Sequence, residues 1–226
     1  MIYWLVLGAS AVLVCGAAWV LVPAPNELLL PLGVAAPELS PALFCISIVM
    51  IVIRAPHGQR SRGVKVAKSF RGRLEIVLLA IAWLGFFVPL LWIATPWLAF
   101  ADYPLRPIPF VAGVIGLAVG LWFFRRSHAD LGTNWSITLE VRERHRLITQ
   151  GIYRRIRHPM YSALVLYGAA HALVIPNWVA GPSNLVAFVV LFALRVHAEE
   201  RMMLEQFGDE YTAYMARTKR LVPGVW

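Results

Sequence analysis

Charge is scarce in this chain. Only 15% of its 226 residues are Asp, Glu, Lys or Arg, whereas 59% are hydrophobic and the mean hydropathy is +0.67. A soluble domain of this size carries roughly 25% charged residues, so the composition points away from a soluble protein. Cysteine is scarcer still: Cys15 and Cys45 each lie inside an apolar run with no paired spacing. That excludes a disulfide framework or zinc knuckle and predicts two buried free thiols. The six histidines, at 57, 128, 145, 158, 171 and 197, include no pair at ligand spacing, and neither H-E-x-x-H nor C-x-x-C occurs. This argues against metal chemistry. There is no G-x-S-x-G elbow and no G-x-G-x-x-G after a strand, which argues against a Ser–His hydrolase and a Rossmann domain. No Lys or Arg precedes the first apolar run, so the N-terminus reads as a retained span rather than a cleaved signal.

What the chain does have is long apolar runs. Crossing the hydrocarbon core of a bilayer takes about 20 apolar residues in a helix. Candidate spans run from about Tyr3 to Val22, Pro41 to Ile53, Leu74 to Trp97, Ile108 to Phe124, Met160 to Pro176 and Asn184 to His197. Pro89 is expected to kink the third. In the fourth, Gly116 and Gly120 have the small-xxx-small spacing that permits close helix packing. The last two form either full spans or a tight hairpin. His171, mid-span, reads as a hydrogen-bonded core histidine. From Glu199 to Met215, Leu204, Phe207, Tyr211 and Tyr214 recur at helical spacing, predicting an amphipathic helix against the membrane face or the rest of the protein. The fold class is therefore all-α: a polytopic transmembrane helical protein with five to six spans and a C-terminal amphipathic helix.

The formal net charge of +9 is distributed in a way that explains it. Of 21 Lys and Arg, seven lie between Arg54 and Arg73, eight between Arg125 and Arg157 and five between Arg195 and Arg220. This is the asymmetry of cytoplasmic loops, with anionic headgroups rather than nucleic acid as the natural counter-charge. The first basic stretch has no acidic residue and reads as a solvated, orientation-setting loop. These features predict a multi-pass protein of a bacterial inner membrane with both termini cytoplasmic.

Two polar clusters remain. One runs from His145 to Tyr161, H-R-L-I-T-Q-G-I-Y-R-R-I-R-H-P-M-Y, and the other is R-V-H-A-E-E from Arg195 to Glu200. Ionisable groups at span ends tend to be paired or functional, although an interfacial ion pair with snorkelling side chains accounts equally well for Arg195 and Glu199. Pro159 suits a helix start, where free N–H groups favour an anion.

G-I-Y-R-R-I-R-H-P-M-Y, then R-x-x-x-E-E after an apolar hairpin, then F-G-D-E-Y-x-x-Y, resembles the isoprenylcysteine carboxyl methyltransferase family, to which phospholipid N-methyltransferases are related. The resemblance covers about Thr138 to Pro223. It implies S-adenosyl-L-methionine as cofactor, with Thr138, His145, Arg146, Leu147, Ile148, Tyr153, His158, Pro159, Met160, Tyr161, Glu199 and Glu200 around it. It also implies that Arg195 holds a substrate carboxylate, so that Arg195, His158 and Tyr161 are the catalytic candidates. The implied partners are membrane lipids and a lipophilic carboxylate substrate, with no nucleic acid and no metal. The division implied is four N-terminal spans over 1–124 and a methyltransferase core over 125–226. The alternatives are an amine or thiol acceptor, a nicotinamide-dependent sterol reductase and a non-catalytic membrane scaffold.

Overall fold

The structure, a computed structural model, describes residues 49–61, 63–69, 72–143 and 145–224. The first expected span, both cysteines and most of the second expected span lie outside the described residues. Residues 49–61 are helical (α1). After them come strand β1 (Val66–Ser69), helix α2 (Arg73–Ala94), a 3-10 turn (Pro96–Ala101) and helix α3 (Pro107–Leu131). Strand β2 (Glu140–Arg142) and helices α4 (Pro159–Val174), α5 (Ala180–Phe207) and α6 (Asp209–Arg217) complete the order.

Among the described residues three helices, one each containing α2, α3 and α5, are long and apolar enough to cross a membrane. α2 is apolar on every side, and Leu74, Ile76, Val77 and Leu84 stay exposed on it, as expected of a helix whose outer surface meets lipid. At 1.5 Å per residue its 22 residues rise about 33 Å, matching a ~30 Å hydrocarbon core. α4 has 16 residues and rises only about 24 Å. It packs against α5 as the shorter arm of a helical hairpin.

The helices end where the local chemistry requires. α2 continues through Pro89 and stops at Thr95, whose hydroxyl accepts from the Trp97 N–H just after Pro96. α3 starts with proline in its first turn and ends at Gly132, whose φ of 57° lies in the left-handed region, where glycine carries no steric penalty. α5 differs from expectation. It does not stop near His197 but runs on to Phe207, and Gly208 (φ 50°) separates it from the short α6. The predicted amphipathic helix over Glu199–Met215 is thus the extension of a long helix followed by a second, short one. β1 and β2 pair antiparallel, a small sheet that the apolar pattern did not predict.

Close packing holds the bundle. A Cβ on Gly116 would stand 3.0 Å from Ala170 Cβ, and one on Gly120 3.3 Å from Tyr167 N, so the small residues of α3 receive α4. At the far end of the hairpin Asn177, fully buried, ties the loops together. Its Nδ2 donates to Leu98 O and Asp102 Oδ1, and its Oδ1 accepts from the N–H groups of Val179 and Ala180. Within the hairpin His171 Nδ1 and Asn184 Nδ2 lie 3.1 Å apart, so His171 is a hydrogen-bonded core residue. Anchoring the loop end leaves the start of α4 and the second half of α5 side by side at the opposite end.

Candidate active site

The segment before α4 is held by the C-terminal tail. Arg157 N donates to Lys219 O, His158 N to Arg220 O, and Ser162 Oγ to Leu221 O. Tyr214 of α6 donates its hydroxyl to Tyr153 O at 2.6 Å. These contacts seat the first turn of α4 against α5, and the two polar clusters meet there.

The consecutive glutamates of α5 have different surroundings. Glu199 accepts a hydrogen bond from Tyr161 Oη at 2.9 Å and lies 3.6 Å from His158 Nδ1. Glu200 faces Arg157 Nε at 3.0 Å, Arg220 Nη2 at 2.8 Å and His158 Nε2 at 3.3 Å. His158 is thus buried between two carboxylates. Burial alone would pull its pKa down, but hydrogen bonds and charge from Glu199 and Glu200 outweigh that and raise it. Burial pushes the Tyr153 and Tyr211 hydroxyls well up, so both stay protonated donors.

Arg195 is also buried. Its Nη2 donates to Ile137 O at 2.9 Å and lies 3.3 Å from Glu75 Oε1, an oxygen that also accepts from Leu139 N at 2.6 Å. Glu75, in the first turn of α2, therefore fixes both Arg195 and the strap of chain over Ile137–Leu139. Arg195 Nε and Glu75 Oε2 are buried without a partner.

A cavity of about 240 Å³ lies among these groups. Its lining is polar at one end, with His158, Glu199 and Arg195, and apolar at the other, with Trp83, Phe86 and Phe188. Of the residues singled out in the sequence, Thr138, His145, Arg146, Leu147, Ile148 and Tyr153 contribute to the wall. So do His158, Met160, Tyr161, Arg195 and Glu199. Two do not: Pro159 opens α4 with its ring turned into the packing, and Glu200 lies behind the wall, occupied by its cations. The expected solvated loop from Arg54 onward also differs. Arg54 belongs to α1 and makes cation–π contacts with Trp135 and Phe124, its Cζ 5.4 and 5.5 Å from the ring centroids. His57, one turn further along, packs its ring 5.4 Å from that of His128.

Sequence reasoning missed Glu75, Arg54, Arg157 as a clamp and Arg220. Glu75 carried a usable signal, because it is an acid placed at the start of a span directly after a wholly basic stretch, where a buried cation elsewhere is its natural partner.

The long apolar helices and the charged cavity are those of a membrane protein, and the family model described as phospholipid methyltransferase matches residues 108–210. Protein-S-isoprenylcysteine O-methyltransferase B of Arabidopsis thaliana is 31% identical over 100 residues, which are 42% of this chain and 49% of that protein. The Homo sapiens protein-S-isoprenylcysteine O-methyltransferase is 25% identical over 115 residues, 50% of this chain and 40% of that one. The chain thus matches about half or less of the length of these curated relatives. Its fold is that of a solved eukaryotic intramembrane Ras methyltransferase, isoprenylcysteine carboxyl methyltransferase, with a TM-score of 0.50 and 19% identity across 98% of this chain and 87% of that one. Over these matched segments the chain is similar to phospholipid methyltransferases and to isoprenylcysteine O-methyltransferases.

Proposed function

We propose that this protein is an integral-membrane methyltransferase that uses S-adenosyl-L-methionine to esterify the carboxylate of a lipid-linked, isoprenylcysteine-like acceptor. The observation that carries the proposal is the single cavity with a charged end at Glu199, His158 and Arg195 and an apolar end between membrane helices. One cavity of that kind suits a charged donor together with a greasy acid. Residues 125–226 would form the methyltransferase core, with the arginine-rich end of the bundle facing the cytoplasm.

The residues present fit the donor. When bound, S-adenosylmethionine supplies an electrophilic methyl group on a sulfonium, and it also carries an ammonium, hydroxyls and a carboxylate. Glu199 offers those cations and hydroxyls a half-buried carboxylate whose orientation is set by Tyr161. The free N–H groups in the first turn of α4 favour an anion. His145, Leu147 and Ile148 supply the half-buried wall opposite. A carboxylate acceptor is already ionised and needs no general base. The task of the chain is then to position and desolvate the reacting groups. Arg195 stands where a charge-assisted contact would orient the acceptor carboxylate, and Glu75 offsets part of its charge, which keeps the acceptor oxygen nucleophilic.

The test uses purified protein in lipid nanodiscs with methyl-labelled donor. It compares a farnesylated cysteine acid, a phosphatidylethanolamine and a free thiol as acceptors. Base-labile label on the acid is the expected result. Label on the amine lipid instead would move the protein to the amine-methylating branch, and no label on any acceptor would sink the enzymatic reading.

A further inference from the structure

The cavity contains a cation that the proposed chemistry has not used. Arg54 reaches it from α1, with its Cζ 5.4 Å from the ring centroid of Trp135 and 5.5 Å from that of Phe124. A cation–π contact of that kind holds a guanidinium without neutralising it. Among the described residues no carboxylate pairs with Arg54, and its Nε is buried with no hydrogen-bond partner. Trp135 Nε1, beside it, is likewise a buried donor without an acceptor. A half-buried guanidinium with no anion beside it is costly in an isolated protein, so an arginine kept this way calls for an anion from outside.

Arg195 lines the same cavity, and the two guanidinium charges repel one another. The charge of Arg195 is offset by Glu75 3.3 Å away, and that of Arg54 by nothing described. Two like charges facing one space are relieved by an anion between them.

Resting on the function proposed above, we propose that Arg54 binds the acceptor directly, holding its carboxylate together with Arg195 and thereby selecting acids over neutral esters. The donor also carries a carboxylate. However, its proposed wall, His145–Ile148 and the start of α4, supplies other groups for that anion, whereas Arg54 faces the charge of Arg195, the residue assigned to the acceptor. The arrangement also bears on product release, because esterification removes the charge that both arginines hold.

The test measures equilibrium binding of a farnesylated cysteine acid and of its methyl ester to the full chain in nanodiscs, alongside S-adenosylhomocysteine. The wild-type protein is expected to prefer the acid by about ten-fold or more, the scale of one charge-assisted contact. In R54M the preference should fall close to unity while S-adenosylhomocysteine affinity stays within about two-fold, and R54K should retain part of the preference, since it keeps the charge without the flat fork. The melting temperature of unliganded R54M should be unchanged or higher, because an uncompensated, half-buried charge has been removed. A lower melting temperature would mark Arg54 as structural and overturn the proposal. An acid preference that survives in R54M overturns it too, as does a wild-type protein with no preference. Loss of S-adenosylhomocysteine binding in R54M would reassign Arg54 to the donor. Methyl transfer to the acid combined with a preference independent of Arg54 would leave the proposed function standing and remove only this inference.

Discussion

Replacing Glu200 with glutamine separates scaffold from wall. The substitution keeps size and shape but removes the negative charge that Arg157, Arg220 and His158 share. Glu200 and Arg157 are nearly enclosed, with side chains 9% and 10% exposed, whereas Arg220 is 23% exposed and partly screened by solvent. Removing one partner of a buried pair typically costs 3–5 kcal/mol because the remaining charge is left uncompensated. Allowing for the residual hydrogen bonds of the amide and for the exposure of Arg220, we expect a loss of about 3 kcal/mol. Thermal unfolding in detergent, followed by intrinsic fluorescence, should show a drop on the order of 10 °C. The Glu200→Gln/Arg220→Gln pair should recover part of the loss, as coupled neighbours do in a double-mutant cycle. Glu200→Gln with unchanged stability but abolished donor binding would refute the division drawn between Glu199 and Glu200.

His158 has a raised pKa. Its stabilising contribution is therefore complete below the unfolded value of about 6.5 and is lost as pH rises through the folded value. Melting temperatures taken from pH 6 upward should decline in the wild-type protein, and His158→Gln should flatten that slope. Gly168 sits where α4 crosses α5, and a Cβ there would come 2.6 Å from both Leu185 N and Leu185 Cα. Gly168→Ala should destabilise by about 1–3 kcal/mol through overpacking against backbone, read as a lower melting temperature at every pH. Tyr161→Phe removes the 2.9 Å bond to Glu199 and should weaken S-adenosylhomocysteine binding by about five-fold, the worth of about 1 kcal/mol, with little change in folding.

Much of this site was legible because its chemistry is concentrated in two short stretches. Basic residues beside R-H-P and two adjacent acids at the end of an apolar run are uncommon in a chain so poor in charge. What could not be read was which acid faces the cavity. Neighbouring residues on a helix point about 100° apart, so Glu199 and Glu200 were bound to have different neighbours, but their order depends on the rotation of α5 against α4. Arg54 and Glu75 were harder still, since their partners lie 81 and 120 residues away, at Trp135 and Arg195. The limit of α5 was misplaced for a different reason. Hydropathy falls after His197, whereas the helix ends only where Gly208 supplies a left-handed backbone.

The central claim is that Glu199, oriented by Tyr161 and His158, forms part of a wall that holds a methyl donor. Titration calorimetry of S-adenosylhomocysteine into the purified protein and into Glu199→Gln tests it most directly. The account predicts one site per wild-type chain and a loss of about ten-fold or more in affinity in the variant, whose fold is intact. Equal affinity in the two proteins, or no binding to either, would contradict it.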